Sequence, residues 1–273
     1  MPELPEAETV GRALNRVLTG RRIVKVEVFT PKMRTPLTPL TTAGLEGRVF
    51  TSVRRRGRYL VAAMDDGRGV LMHFGMSGVA RVEGPETPRR RHEHVFLHLD
   101  DGNVFRFECP RRFSLLEVRD LGPDGWPDAL QCLGVEPLSG KFTGAALYAA
   151  LAKRKTPVKV ALMDNAVVCG IGNIYATETL FASGVDPRRR ADTVTPEECA
   201  AIVRHAKRIL REAIACGGTT IADFRGVDGS EGKFAVKLRI YGKSGEACPR
   251  CGATLARCSL GGRTSVFCPG CQQ

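Results

Sequence analysis

Apolar residues recur along the chain at two spacings, and the change between them divides the sequence. Over 5–18 they recur at helical spacing, which predicts a helix with one buried face. From about 22 to 120 apolar and polar residues alternate instead, as in half-buried strands. Asp-Gly pairs at 66–67 and 101–102 separate apolar runs, and this predicts two β-hairpins. The first half is therefore predicted to be β-rich behind one N-terminal helix.

After Pro123 the spacing becomes helical again. The clearest helix is 195–216, where Thr195 would be the N-cap and Glu198 would complete a capping box. Shorter helices are predicted at 143–153 and 173–183, the second with Asn173 as its N-cap. From about 237 the chain is strand-like and rich in cysteine.

Five of the ten cysteines fall near the C-terminus in a spacing typical of metal sites. Two Cys-x-x-Cys pairs, 16 residues apart, converge in such a pattern on one tetrahedral Zn²⁺. Four thiolates leave no open coordination position, so this single zinc would be structural. The alternative is four reduced core cysteines. The predicted ligands are Cys248, Cys251, Cys268 and Cys271, whereas Cys258 has no Cys-x-x-Cys partner.

The chain of 273 residues carries 41 Lys and Arg against 29 Asp and Glu, a formal net charge of +12. Such an excess favours a polyanionic partner, nucleic acid first, although a merely basic enzyme is the alternative. No window holds the roughly 18 consecutive apolar residues of a membrane helix, and the acidic N-terminus is unlike a signal peptide. We therefore expect a cytoplasmic protein with no membrane partner. Runs of arginine and lysine lie at 54–58, 89–91, 111–112, 153–155 and 188–190.

Two further segments could carry chemistry, and each has a purely structural alternative. The glycines of 170–175 would let a phosphate approach free backbone N–H groups, or would simply form a turn before a helix. Removal of Met1 would leave Pro2 with a secondary amine that is partly unprotonated at neutral pH. Glu3 and Glu6 could then transfer protons, or could only cap the first helix.

Seven segments, in the same order, resemble the bacterial formamidopyrimidine-DNA glycosylases, from residue 1 to residue 271. They are Met1–Val10, His73–Gly78, Pro110–Phe113, Leu162–Asn165, Gly170–Ala176, Gly217–Thr220 and the four-cysteine segment.

The resemblance implies an α+β multidomain fold: an N-terminal β-sandwich with flanking helices, a helix–two-turn–helix domain and a zinc finger. We expect a catalytic domain over 1–125, a linker over 126–142, the helical DNA-binding domain over 143–232 and the finger over 237–273.

The resemblance also implies a bifunctional DNA glycosylase and abasic-site lyase of base excision repair. Its substrates would be 8-oxoguanine and formamidopyrimidines in double-stranded DNA, and abasic sites, and we expect it to act as a monomer at the bacterial nucleoid. Pro2 would form a Schiff base, Glu3 would be the acid/base and Glu6 would support the site, before β,δ-elimination. Arg58 and Arg263 would act near the reacting phosphates.

The remaining DNA contacts are likewise implied by the resemblance. Met76 and Phe113 would fill the gap left by the extruded base, and Arg111 would hydrogen-bond the orphaned cytosine. The segment after Gly218 resembles the loop that closes over that base. Further contacts would come from His92, Arg154, Lys159, Asn173 and Tyr241.

Three positions depart from the family pattern. Arg58 stands where most relatives carry lysine, Cys109 where they carry an acid, and Ser114 where they carry glycine. An arginine cannot lose a proton near neutral pH, so Arg58 favours phosphate binding over proton donation. The alternatives are an endonuclease VIII-like enzyme for oxidised pyrimidines and a catalytically weak, zinc-containing DNA-binding relative.

Overall fold

A computed structural model describes residues 2–219 and 234–273. These residues form two compact units. The first contains residues 2–131 and 216–219, and the second contains Cys132–Ala215 and Phe234–Gln273. The segment 220–233, on which the predicted base-closing loop falls, lies outside the described residues.

The predicted N-terminal helix is confirmed as α1 (Leu4–Leu18). Its apolar positions face inward, with Val10, Leu14 and Leu18 almost fully buried. Pro5 lies in the first turn, where its missing N–H costs nothing, and Glu6 lies in the same turn, at the positive end of the helix dipole. The helix is thus held by its buried face and by the chemistry of its first turn.

Eight antiparallel strands of the first unit form two four-stranded sheets. In chain order they are β1 (Ile23–Val28), β2 (Phe50–Arg56), β3 (Tyr59–Met64), β4 (Arg68–His73), β5 (Val79–Glu83), β6 (Glu93–Leu99), β7 (Val104–Glu108) and β8 (Leu115–Asp120). One sheet has the order β1-β6-β7-β5 and the other the order β2-β3-β4-β8. A short helix, α2 (Thr38–Thr42), follows β1 and was not predicted.

Both predicted Asp-Gly hairpins are confirmed. Gly67 joins β3 to β4 with φ of +81°, and Gly102 joins β6 to β7 with φ of +84°. Such turns need a positive φ, which glycine adopts without steric cost. These turns set the strand registers that place alternate side chains between the sheets.

One core lies between the two sheets. It takes Val95, Leu97 and Phe107 from the first sheet and Leu60 and Met72 from the second, all nearly fully buried. The first unit is therefore a β-sandwich, as predicted, with α1 adding its apolar face to the same core.

The second unit is helical and ends in a β-hairpin. Its helices are α3 (Gly144–Leu151), α4 (Val158–Met163), α5 (Asn173–Ser183) and α6 (Pro196–Ala215), and its strands are β9 (Ala256–Leu260) and β10 (Arg263–Phe267). Both α3 and α5 pack on α6. No helix in the described part of the chain is long and apolar enough to cross a membrane.

The predicted caps of these helices had different outcomes. At α6 the capping box is confirmed, because Thr195 and Glu198 exchange hydrogen bonds of 2.8 and 3.2 Å. At α5 the prediction was wrong: Gly172 is the N-cap and Asn173 is the first helical residue. The Asn173 side chain is engaged elsewhere, with Lys159 and the backbone of Thr264. The side chain thus makes tertiary hydrogen bonds instead of capping the helix.

A histidine at the end of β4 is held neutral. The Nδ1 atom of His73 accepts the N–H of Gly75 at 3.1 Å, and its ring lies 4.7 Å from that of Tyr59. Burial and the nearby charges of Arg58 and Arg34 lower the pKa of His73 to about 4. The neutral ring fixes the turn that follows the strand.

This histidine should make the fold sensitive to acid. The unfolded imidazole, with a pKa near 6.5, takes up a proton between about pH 7 and about pH 5, whereas the folded one does not. Stability is therefore lost as the pH falls, by about 2 kcal/mol over this range. In His73→Asn, whose side-chain oxygen can accept the same N–H, urea unfolding should show that much less acid sensitivity. Equal losses in both proteins would contradict this.

Candidate active site

The first turn of α1 holds three residues singled out from the sequence. Pro2 is buried, and Glu3 and Glu6 are only 4% and 2% exposed. The Oε2 atom of Glu6 accepts the N–H of Glu3 at 2.9 Å, and the two residues form a capping box. The capping role considered from the sequence is therefore present. It also fixes the peptide that carries Pro2 next to two carboxylates.

Glu6 makes a second backbone contact far along the chain. Its Oε1 atom accepts the N–H of Thr219 at 2.7 Å. Gly218, with φ of +83°, passes so close that a Cβ there would lie 3.1 Å from the Glu6 side chain. A glycine is needed at this position both for its left-handed backbone and for this approach. Glu6 thus joins the first turn of α1 to the segment after α6.

Arg58 lies in the turn between β2 and β3. The preceding Gly57 has φ of +57°, as the first central residue of a type II′ hairpin requires. The arginine is 8% exposed, and its charge helps to keep His73 neutral. Arg58 is therefore a permanent cation in a largely dehydrated position of the first unit.

Three predicted DNA-contacting residues lie on two neighbouring loops of the first unit. Met76 and Phe113 are 40% and 57% exposed, which is unusual for large apolar side chains. Arg111 is exposed, and its Nε donates to the Ser77 hydroxyl at 3.4 Å. A Cβ at Gly75 would lie 2.7 Å from the carbonyl oxygen of Phe113, so the loops touch through their backbones. The structure brings Met76, Arg111 and Phe113 together as one protruding group.

His92 contacts the start of the loop that carries Arg111 and Phe113, and two arginines of the run before it are engaged in contacts within the first unit. The backbone carbonyl of His92 accepts the N–H of Cys109 at 2.9 Å. Arg90 pairs with Glu83 and Glu93, each at 2.7 Å. Arg89 stacks on Phe29. Such runs contribute structure as well as charge to a nucleic-acid footprint.

In the second unit a buried lysine connects α4, α5 and the β9–β10 hairpin. Lys159 is fully buried, and its Nζ donates to Asn173 at 2.7 Å and to the Ser265 hydroxyl at 2.8 Å. Asn173 in turn donates to the carbonyl of Thr264 at 3.2 Å. This network ties β10, which begins at the exposed Arg263, to the start of α5. Arg154 is paired with Asp164 at 2.8 Å.

Sequence reasoning did not identify Glu178, which orders the segment carrying Tyr241. This carboxylate, 4% exposed, accepts the consecutive N–H groups of Arg239, Ile240 and Tyr241 at 2.9, 3.0 and 2.8 Å. A polar group with this burial needs such partners. The only signal in the sequence is an acid among apolar residues of α5, and its partners lie about 60 positions away.

The four predicted zinc ligands form one cluster. All four sulfur atoms lie within 4.8 Å of one another, with Cys248–Cys271 at 3.9 Å and Cys251–Cys268 at 3.5 Å. A tetrahedron with Zn–S bonds of 2.3 Å requires sulfur separations of about 3.8 Å. The residues fit one structural Zn²⁺, as predicted.

Comparison with known sequences gives three matches in the same chain order. The formamidopyrimidine-DNA glycosylase N-terminal domain matches 1–116, the formamidopyrimidine-DNA glycosylase H2TH domain matches 133–225, and the zinc finger found in FPG and IleRS matches 245–273. The formamidopyrimidine-DNA glycosylase of Laribacter hongkongensis is 45% identical over 273 residues, covering both chains entirely.

Two solved structures from Lactococcus lactis are similar throughout. A variant of its Fpg in complex with Fapy-dG-containing DNA has a TM-score of 0.90 at 30% identity, covering 100% of both chains. The complex of its Fpg with abasic-site DNA has a TM-score of 0.89 at 30% identity, covering 99% of each. On this full-length identity, the chain belongs to the formamidopyrimidine-DNA glycosylase family.

Proposed function

We propose that this chain is a bifunctional DNA glycosylase and abasic-site lyase that removes oxidised purines from double-stranded DNA. The observation that carries the proposal is the buried first turn of α1. There Pro2 precedes Glu3, and Glu6 fixes the Glu3 backbone. Relatives bound to Fapy-dG-containing and abasic-site DNA support both the substrate class and the polymer.

In the first step the secondary amine of Pro2 attacks C1′ of the damaged nucleotide. The N–C1′ bond forms as the glycosidic bond breaks, and the base leaves with its bonding electrons. Glu3 acts as the general acid/base of this exchange: it takes up the proton lost by the Pro2 amine and donates one to the departing base. Its carboxyl lies in the same turn. Sugar-ring opening then gives an iminium, which is permanently cationic because the nitrogen has no proton left to lose.

In the second step the iminium acts as an electron sink. It acidifies the C2′ proton, so that a base can remove it and the 3′-phosphate leaves; a second elimination expels the 5′-phosphate. Arg58 and Arg263 would neutralise charge on these phosphates. The nucleotide must first leave the stack, since its C1′ is otherwise shielded.

Met76, Arg111 and Phe113 fill the space that the extruded base leaves. Met76 and Phe113 are exposed apolar side chains on touching loops, as a wedge between base pairs requires. The Arg111 guanidinium, hydrogen-bonded to Ser77, would read the orphaned cytosine. This part of the site therefore sets which opposite base is accepted.

The remaining contacts hold the phosphate backbone. His92 belongs to the first unit, whereas Arg154, Lys159, Asn173, Tyr241 and Arg263 belong to the second. Lys159 acts through Asn173 and Ser265, because its ammonium is fully buried among them. The four-thiolate zinc stabilises the hairpin that presents Arg263 and takes no part in the chemistry.

Each region expected from the sequence would have its own function. Residues 1–125 supply the catalytic sandwich, 126–142 the linker, 143–232 the helical DNA-binding domain and 237–273 the finger. The enzyme acts as a monomer on chromosomal DNA, which places it in the cytoplasm at the nucleoid.

Glu3→Gln should bind lesion DNA with nearly unchanged affinity and excise 8-oxoguanine at least about 100-fold more slowly. The glutamine oxygen can still accept the capping hydrogen bond, but it cannot exchange a proton, and general acid–base catalysis is worth about 10²–10⁴-fold. Single-turnover cleavage of an 8-oxoguanine duplex measures the rate, and gel shift measures the affinity.

Glu8→Gln is the matched control for this experiment. Glu8 lies one turn further along α1, where it accepts hydrogen bonds from Arg12 and Arg55. Its substitution should leave excision unchanged. Parental excision by Glu3→Gln would remove Glu3 from the mechanism, and equal slowing in both variants would indicate a general effect on the helix.

Arg58→Lys should leave DNA affinity and its salt dependence nearly unchanged, because the positive charge is kept. If a titratable amine assists elimination, strand scission should accelerate relative to base release. Arg58→Ala should lose about 1–3 kcal/mol of binding. Both steps are measured on one 8-oxoguanine duplex, with Arg54→Lys as control because Arg54 stacks on Trp126. Unchanged scission in Arg58→Lys would limit this position to phosphate binding.

A further inference from the structure

We propose that Cys109 and Ser114 are positioning residues that fix the protruding group of Met76, Arg111 and Phe113 and so set opposite-base discrimination. This inference rests on the proposed function. It names two side chains that touch neither DNA nor the reacting atoms. They act through a hydrogen-bond chain that the geometry places beneath both loops.

The hydrogen-bond chain closes the loop that carries Arg111 and Phe113. Cys109 and Ser114, at its two ends, are 1% and 0% exposed. The Ser114 N–H donates to the Cys109 sulfur at 3.4 Å, and the Cys109 thiol donates to the Ser114 hydroxyl at 2.9 Å. Each side chain therefore uses the other as a partner where water is absent. A buried pair satisfied in this way holds its geometry firmly.

The same chain continues into the loop that carries Met76. The Ser114 hydroxyl donates to the carbonyl of Phe74 at 2.8 Å, and the same carbonyl accepts the N–H of Gly78 at 2.8 Å. Phe74 and Gly78 flank Met76 on either side. A Cβ at Gly78 would lie 2.4 Å from the Ser114 hydroxyl, so the close approach of the hydroxyl requires a glycine here. The Ser114 hydroxyl thus links the two loops, in addition to the backbone contact between Gly75 and Phe113.

The backbone at the tip of the second loop needs this support. Arg112 has φ of +54° and is the one non-glycine residue with positive φ in the described part of the chain. Such a conformation costs about 1–3 kcal/mol and persists where its surroundings enforce it. The N–H of Arg112 donates to the carbonyl of Cys109 at 3.2 Å. The strained residue lies between Arg111 and Phe113, so relaxing it would move both side chains.

These contacts also account for two of the departures from the family pattern together. An acid at 109 and a glycine at 114 could not form this series of hydrogen bonds. Glycine has no hydroxyl to accept the hydrogen bond from the thiol or to donate one to the Phe74 carbonyl. The thiol and the hydroxyl are each other's partners, so either substitution alone leaves a buried polar group unmatched. The pair therefore works as a unit.

The test compares 8-oxoguanine excision opposite cytosine and opposite adenine, as a ratio of kcat/KM. Cys109→Ala and Ser114→Ala should each lower this ratio by about two- to tenfold, the factor that an ordinary buried hydrogen bond is worth. Cys109→Ser, which can still donate and accept, should restore part of it. Ser114→Gly removes the hydroxyl in case the alanine variant does not fold.

Two controls separate this role from a structural one. Cys199→Ala removes a different fully buried thiol, on α6, and should leave the ratio unchanged even where it lowers the melting temperature. Cleavage of an abasic site in single-stranded DNA, which has no opposite base, should be the same in every folded variant.

The outcomes distinguish the inference from the function on which it rests. A wild-type protein that cleaves neither substrate removes the proposed function. An active wild type with a ratio near one, an unchanged ratio in folded Cys109 and Ser114 variants, or an equal fall in Cys199→Ala would each overturn the positioning role while leaving the function standing.

Discussion

A single buried side chain, that of Glu6, fixes the backbone on which the proposed chemistry depends. It accepts the N–H of Glu3 at 2.9 Å and that of Thr219 at 2.7 Å, and it is only 2% exposed. Burial makes the loss of either hydrogen bond expensive, because a buried polar group would be left without that partner. The first turn of α1 is therefore held from two sides. The position of the Pro2 nitrogen follows from this, because one peptide separates it from the Glu3 N–H.

The protruding group solves a different physical problem, that of keeping large apolar side chains exposed and in place. Exposure of the Met76 and Phe113 side chains to water is energetically unfavourable, because they are apolar. The Arg112 backbone between Arg111 and Phe113 is strained. Their loops are held from below by hydrogen bonds in the dehydrated interior of the sandwich, where such bonds are strongest. The exposed tips are thereby preorganised at the expense of folding stability, as binding surfaces often are.

Features that depend on neighbouring residues in the chain could be predicted from the sequence. These include α1, the Thr195–Glu198 capping box and the Asp-Gly hairpins, and the spacing of two Cys-x-x-Cys pairs predicted the zinc cluster. Features set by distant contacts could not be predicted. Asn173 suits an N-cap locally but is held by Lys159 instead, and no local pattern indicates that Glu178 receives three N–H groups from 239–241. The resemblance implied the site residues, whereas the hydrogen bonds of Glu6, Cys109 and Ser114 with distant parts of the chain became visible only in the tertiary structure.

The proposed reaction depends most on the Pro2 nitrogen as the nucleophile, and mapping the covalent adduct tests this directly. The full chain is incubated with an 8-oxoguanine duplex under borohydride, the adduct is digested with protease and nuclease, and the modified peptide is sequenced by mass spectrometry. We expect one reduced adduct, on the N-terminal nitrogen of a chain that begins at Pro2. An adduct on a lysine side chain, or efficient trapping by a chain that retains Met1, would contradict it.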